Sequence, residues 1–303
     1  DAVQQVSEYN IGGYILFGRD FDGKTKDEVV DDIHSYQNEA DIPLLIGVDE
    51  EGGTVVRISS NPNLRETPFL SPKDTYADGG WDAVKHDAEE KADLLLSLGI
   101  NVNLAPVCDM TSDEYGFMYD RSFSSDVDME NRYVRTVVET SKSKKLGTVL
   151  KHFPGYGNNS DTHTGIAYDD RDYSEFENTD FKPFYQGIES GADCILVSHN
   201  IVNCMDSEYP ASLSQKVHDI LRNEFKFDGV IMTDDLIMDA ITDFTGDEAA
   251  AVTAAKCGND LLCCSSVDTQ YPAVLEAVQN GEISEAQVDA SVKRILKWKQ
   301  NLG

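Results

Sequence analysis

The sequence lacks features that would place it in several large classes of protein. No apolar run approaches the roughly 20 residues of a membrane-spanning helix, so no span is predicted. Cations are scarce, because 25 Lys and Arg stand against 55 Asp and Glu, giving a formal charge of −30. Such a surface repels phosphates, which disfavours nucleic acids and anionic membranes as partners.

The six cysteines form no C-x-x-C pair. Cys194, Cys263 and Cys264 lie in apolar runs typical of buried strands. We therefore expect buried thiols that pack as small hydrophobic groups, not disulfides or metal ligands. The acidic composition and a chain that opens on Asp1 favour an envelope or secreted location over a cytosolic one.

Short apolar runs alternate with longer amphipathic ones, and no Pro/Gly/Ser-rich linker divides residues 1–303, which predicts a single domain. Seven strands are predicted, at residues 13–17, 43–48, 102–107, 148–152, 194–198, 230–233 and 260–263. Helices are predicted at residues 26–39, 83–98, 131–143, 214–224, 247–255, 271–279 and 284–301. Apolar strands separated by helices indicate a parallel sheet covered on both faces.

Polar residues follow five of the seven predicted strands: Asp49, Asp109, His152, His199 and Asp234. In an open sheet a site gathers at one switch point, whereas in a barrel all strand ends converge on one mouth. This pattern favours an α/β fold of the (β/α)8 TIM-barrel type. Because that barrel needs eight strands, we expect the first strand to lie upstream of residue 1.

The segment at residues 151–163 combines a strand end with a glycine-containing loop. Lys151 and His152 are expected at the mouth, and two glycines, Gly155 and Gly157, would let the loop turn back over it. Farther along, Asp161 and His163 lie two residues apart, so in an extended segment their side chains point the same way. A carboxylate that bonds one ring nitrogen raises the basicity of the other, which suits proton transfer.

A second element, G-V-I-M-T-D-D-L, is an apolar strand that ends in two carboxylates. Asp234 is expected at the mouth, where a carboxylate held against a sugar's anomeric carbon acts as a nucleophile. Asp235 would face elsewhere and cap the following helix. Helix capping is an equal interpretation of Asp234 taken alone.

A third element, G-V-D-E-E-G-G-T-V-V-R, places Asp49 after a strand and Arg57 eight residues later. The carboxylate can accept hydrogen bonds from vicinal sugar hydroxyls, and an arginine donates in a fixed fork. Arg121, in the long loop Y-D-R-S-F, is a further candidate. For both arginines the alternative is a surface ion pair.

Together the three elements resemble glycoside hydrolase family 3, and within it the β-N-acetylglucosaminidases of peptidoglycan turnover. Matching stretches run from I-G-G-Y-I-L-F-G-R-D near the start to the terminal helix I-S-E-A-Q-V-D-A-S-V-K-R-I-L-K-W-K. The resemblance departs at Tyr156, where the family usually has His, at Thr54, where Arg is common, and in a D-x-H loop one residue shorter than usual. These departures affect the loop and leave the motif residues in place.

The resemblance implies a barrel whose first strand is missing here, a carbohydrate substrate, and no cofactor or metal. It implies Asp234 as nucleophile of a retaining reaction and His163 with Asp161 as the acid/base pair. It also implies a sugar site, formed by Asp49, Arg57, Arg121, Lys151 and His152. His199 is either a further site residue or a structural imidazole.

Three alternatives remain open. A metal-dependent barrel hydrolase would use a similar set of histidines and aspartates, although no strand ends in H-x-H. A non-catalytic sugar-binding protein would have the same residues without turnover. Within the family, a β-glucosidase or a phosphorylase acting on N-acetylglucosamine is the third. The D-x-H loop favours an N-acetylhexosaminidase, because family 3 glucosidases generally take their acid/base from a separate domain.

Overall fold

The computed structural model describes residues 2–157, 165–245 and 247–302 of the chain. The strands of this part are β1 (Gly13–Leu16), β2 (Leu45–Val48), β3 (Glu50–Gly52), β4 (Val55–Val56), β5 (Val102–Asn103), β6 (Gly147–Phe153), β7 (Tyr168–Asp169), β8 (Cys194–Val197), β9 (Ile201–Val202) and β10 (Val230–Thr233). Its α-helices are α1 (Ala2–Tyr9), α2 (Lys26–Glu39), α3 (Pro72–Ser97), α4 (Val127–Ser143), α5 (Tyr173–Asn178), α6 (Phe181–Glu189), α7 (Gln215–Asp219), α8 (Asp239–Thr245), α9 (Asp247–Lys256), α10 (Val267–Gln279) and α11 (Glu285–Asn301).

Local sequence explains where the longer helices begin. Thr25 accepts a hydrogen bond from the Glu28 amide, and the Glu28 side chain bonds back to Thr25, so a capping box starts α2. Ser71 caps α3 and is followed by Pro72 at the first helical position. Since α3 begins at Pro72, this helix starts before the predicted residues 83–98.

One parallel sheet organises the described residues, with strand order β1-β2-β5-β6-β8-β10. Strands β2, β8 and β10 are buried throughout, as predicted for a parallel sheet that is covered on both faces. Two small ladders, β3 with β4 and β7 with β9, lie in the connections that follow strand ends.

The prediction of a (β/α)8 barrel is wrong for this chain. The described sheet has six strands and curls into a half-barrel, and predicted strand 260–263 contributes only a bridge between Met232 and Leu261. A barrel closes when its first and last strands pair. Here a cavity of about 520 Å³, lined by Tyr9, Tyr14 and Tyr271 among others, lies between β1 and the Leu261 segment.

Side chains alternate between the two faces of the curled sheet. Leu45, Val149, Leu196 and Met232 pack on the concave side together with Trp298 of α11. The residues next to them in each strand pack on the convex side against helices: Ile46, Leu150, Val197 and Ile231. This two-residue period decides which side chains at the strand ends enter the concave mouth.

No helix in the described part of the chain is both long and apolar enough to span a membrane.

Candidate active site

The candidate site lies on the concave side at the carboxyl ends of the strands. Counting in steps of two from the concave core residues places Asp49, Lys151 and Asp234 on this face. In the sheet, β5 lies between β2 and β6, and β8 lies between β6 and β10. The pleat of these alternate strands brings three of the predicted residues to one mouth.

Lys151 is a buried cation at this mouth. Its Nζ lies 2.5 Å from Oδ1 of Asp49 and 2.7 Å from Oε1 of Glu51. Burial works against a charged amine, but the two carboxylates prevail and raise the pKa of Lys151 above its usual range. Lys151 therefore stays protonated and holds Asp49 in a fixed position.

Glu51, which was not among the predicted site residues, joins Lys151 to Arg121. Arg121 donates from Nε to Oε2 at 3.0 Å and from Nη2 to Oε1 at 2.7 Å, a two-pronged contact. Burial opposes ionisation of Glu51, yet Lys151 and Arg121 hold its pKa far below the usual range. The alternative that Arg121 forms only a surface pair is excluded by this buried contact.

His152 is oriented by a second carboxylate, Asp109. One oxygen of Asp109 lies 2.7 Å from Nδ1 and also accepts from the His152 amide, while the other accepts from the Tyr156 amide. On the far side of the ring, Nε2 lies 3.3 Å from Nη2 of Arg121. Because an arginine only donates, this Nε2 is the acceptor and Nδ1 carries the proton.

Arg57 is positioned through its backbone. Glu50, fully buried, accepts hydrogen bonds from the amides of Arg57 and Ile58 at 2.9 and 2.7 Å. The Arg57 Nε is buried and has no hydrogen-bond partner within the described part of the chain. Such a donor is costly to leave unpaired, so it is suited to a ligand.

Asp234 and Asp235 diverge as predicted for adjacent residues. The Asp234 amide donates to the Val197 carbonyl, and its Oδ1 accepts from the Asp235 amide at 2.9 Å. The Asp235 carboxylate turns instead to the amides of Ile237 and Ser265. Asp235 thus braces the turn, while Asp234 extends the concave face of β10.

His199 lies one residue out of step with the concave face and is completely buried. Its Nδ1 is 2.7 Å from the Ser212 hydroxyl and its Nε2 is 3.0 Å from the Asp235 carbonyl. Both ring nitrogens therefore bond to the protein, behind the turn that presents Asp234. This geometry favours the structural interpretation of this imidazole.

Asp161 and His163 lie outside the described residues, so the predicted pairing of their side chains stays a prediction. Within the described part of the chain, no group of three or more His, Cys, Asp or Glu side chains has the spacing of a metal site.

The ionisation of Glu51 should make the free energy of unfolding depend on pH in acidic solution. Its pKa is lowered by folding, so the stability it contributes is present above its usual value and is lost as the pH falls. We expect Glu51→Gln to flatten the decline in the free energy of unfolding between about pH 5 and pH 2, measured by urea unfolding. Glu89→Gln, in an exposed pair with Lys85, is the control; an equally steep decline in Glu51→Gln would contradict the assignment.

Comparison with known proteins identifies relatives over most of the chain. The model of the glycosyl hydrolase family 3 N-terminal domain matches residues 1–298. A β-hexosaminidase from Nitrosomonas eutropha is 32% identical over 273 residues, which is 88% of this chain and 77% of that protein. One from Hydrogenovibrio crunogenus is 31% identical over 286 residues, covering 92% and 79%.

Solved structures agree in fold. A family 3 β-N-acetylglucosaminidase from Paenibacillus sp. superimposes with a TM-score of 0.93 at 30% identity, over 99% of this chain. The chain spans 58% of the length of that structure. A family 3 member from Mycobacterium smegmatis gives a TM-score of 0.89 at 27% identity, over 98% of this chain and 91% of that one.

Proposed function

The chain belongs to glycosyl hydrolase family 3 and is a glycoside hydrolase, and we propose that it releases terminal β-linked N-acetylglucosamine with retention of configuration. The observation that carries this proposal is the buried network of Asp49, Lys151, Glu51, Arg121 and His152 at the mouth that also receives Asp234. Fixed, paired donors and acceptors of this kind suit an uncharged, hydroxyl-rich ligand.

Asp234 is the proposed nucleophile. Its carboxylate would attack C1 of the sugar, forming a glycosyl ester while the bond from C1 to the aglycone oxygen breaks. Water would then attack C1 and release Asp234, giving a β-product after two inversions. The support is its place on the concave face, with Asp235 bracing the turn from behind.

His163 is the proposed acid/base, with Asp161 as its partner. His163 would protonate the departing oxygen in the first step and accept a proton from water in the second. The support is the D-x-H spacing and the place of this pair after the K-H-F-P-G strand end.

The sugar would be held by Asp49, Lys151, Arg121, His152 and Arg57. Asp49 accepts from hydroxyls, the Arg57 Nε is a buried donor that lacks a partner in the described part of the chain, and Glu51 fixes Lys151 and Arg121. His199 would act through the Asp235 turn and not through the sugar. The proposed natural substrate, by family resemblance, is a peptidoglycan disaccharide with N-acetylglucosamine at its non-reducing end.

The proposal is tested by incubating the protein with p-nitrophenyl β-N-acetylglucosaminide and the matching β-glucoside, with and without phosphate. We expect release from the first substrate, at a rate that phosphate leaves unchanged, with the β-anomer of free N-acetylglucosamine appearing first by NMR. N-acetylglucosamine 1-phosphate as product would indicate a phosphorylase, and preferential cleavage of the glucoside a β-glucosidase. Loss of activity after EDTA dialysis would favour the metal-dependent alternative, and binding without turnover the non-catalytic one.

A further inference from the structure

Arg171 forms an ion-pair cluster beside the candidate site and outside the network described above. Its guanidinium donates to Asp169, from Nη2 at 2.8 Å, and to both oxygens of Asp180, from Nη1 at 3.1 and 2.9 Å. Both carboxylates are almost completely buried, and the guanidinium also lies over the Phe176 ring at 4.2 Å. Burial raises the pKa of the Asp180 carboxyl, and Arg171 and the Thr179 hydroxyl oppose that rise.

The cluster is in contact with both limbs of the loop that bears the D-x-H motif. On the outgoing limb, the Gly155 carbonyl accepts from Nη2 of Arg171 at 3.2 Å. On the returning limb, β7 carries Asp169 and leads directly into Arg171, and it is fixed by pairing with β9. One guanidinium therefore ties the departure of this loop to its return.

The glycines of the outgoing limb are required by this close approach. A Cβ on Gly155 would collide with the Asp180 carboxylate, and one on Gly157 would lie 2.7 Å from the guanidinium carbon of Arg171. Both glycines also have positive φ, +125° and +53°. Besides letting the loop turn, these glycines let the limb pack against a charged cluster.

We propose that Arg171 is a positioning residue for proton transfer, acting through the two loop limbs on His163. This inference rests on the proposed function, in which His163 protonates the leaving oxygen. The physical reason is that a guanidinium has a rigid planar fork that binds Asp169, Asp180 and a carbonyl at once. An ammonium keeps the charge but cannot satisfy all three in one plane, so Arg171→Lys shifts the limbs while retaining the ion pairs.

The experiment compares leaving groups that differ in their need for a proton. An acid catalyst matters for chitobiose, whose departing hydroxyl is a poor leaving group, and matters little for the 2,4-dinitrophenyl glycoside. We expect Arg171→Lys to lower kcat/KM for chitobiose by about 10- to 100-fold, a part of what general acid catalysis supplies. The value for the dinitrophenyl substrate should change by less than about 3-fold, because sugar binding and Asp234 are untouched.

Arg222→Lys is the matched control. Arg222 is similarly half-buried, pairs with the buried Asp260 and donates to the carbonyls of Phe227 and Gly229, at the opposite end of β10. Arg222→Lys should lower the Tm, and it should change kcat/KM for the two substrates by the same factor. Gly157→Ala, which pushes on the guanidinium, should repeat the selective loss and serves if Arg171→Lys fails to fold.

Equal losses on both substrates in Arg171→Lys and Gly157→Ala would overturn the inference and leave a purely structural cluster. His163→Ala separates this failure from that of the proposed function. If His163→Ala loses chitobiose activity selectively while the Arg171 variant does not, the positioning role is rejected and the proposed function stands. If His163→Ala shows no selective loss, the assigned acid/base is wrong and the inference fails with it.

Discussion

Replacing Asp234 with glycine should lower kcat for aryl β-N-acetylglucosaminide by roughly 10⁴-fold or more, the scale on which loss of a covalent catalyst is felt. The physical reason is that the other carboxylates of the described mouth are held by Lys151 or His152 and cannot take over the attack on C1. Asp49 and Glu51 are both bound to Lys151, and Asp109 is bound to His152. Steady-state kinetics, with circular dichroism to confirm folding, measures the effect.

Two further measurements make the Asp234 prediction specific. In the glycine variant, azide can enter the space of the missing carboxylate and attack C1 of an activated substrate, so an α-glycosyl azide should form with recovery of rate. Asp235→Asn is the matched control: its carboxylate braces the turn, so it should cost about 1 kcal/mol of stability and retain kcat within a few-fold. Wild-type activity in Asp234→Gly would refute the nucleophile assignment.

Replacing Lys151 with methionine should destabilise the fold by about 3–5 kcal/mol, because it leaves buried carboxylates without their cation. Methionine keeps most of the volume, so the loss reports charge and not a cavity. Asp49 and Glu51 would then face each other across the vacated position. Urea unfolding at neutral pH is the measurement, and sugar binding should weaken in parallel because Asp49 loses its orientation.

The control for Lys151 is Lys144→Met, which removes an exposed pair with Asp93 and should change stability by less than about 1 kcal/mol. Adding Asp49→Asn to Lys151→Met should recover part of the lost stability, since it removes one of the opposed charges. A Lys151→Met variant as stable as the wild type would show that the buried pairs are not coupled as the geometry indicates.

Much of the mouth could be predicted because the strand period is local. Runs ending in Asp49, Lys151 and Asp234 are apolar and short, so the alternation of faces can be counted from the sequence. The same count places His199 on the other face, beside residues that pack outward. The count also places His152 on the outward face, whereas the structure brings this ring against Arg121 in the network, so the count alone does not select the sugar-facing residues.

The remaining site residues depended on long-range partners. Glu51 belongs to the site because Lys151 and Arg121, which lies 70 residues later, both bind its carboxylate. Asp109 belongs to it because its carboxylate binds His152. The two-residue period puts Glu51 on the same side as Asp49, but it does not show that Arg121 and Lys151 both reach the Glu51 carboxylate. Asp109 follows a predicted strand, which places it at the mouth, but the sequence does not show that its carboxylate orients His152.

The strand count failed for a related reason. Polar residues at successive strand ends converge in a half-barrel as well as in a closed one, so their convergence does not measure closure. The residue 260–263 segment reads as a strand, yet its ladder is reduced to one bridge at Leu261. Pairing between the first and last strands is a property of the whole sheet, which periodicity does not report.

The buried network has one further consequence, for electrostatics at long range. Two cations, Lys151 and Arg121, face two anions, Asp49 and Glu51, so the charges of these four groups sum to zero while their dipoles stay oriented at the mouth. An uncharged sugar thus meets a pre-set polar surface, while the −30 formal charge of the chain acts from outside it. Ionic strength should therefore change the binding of a charged aglycone at the rim, and it should hardly change the binding of the uncharged sugar ring.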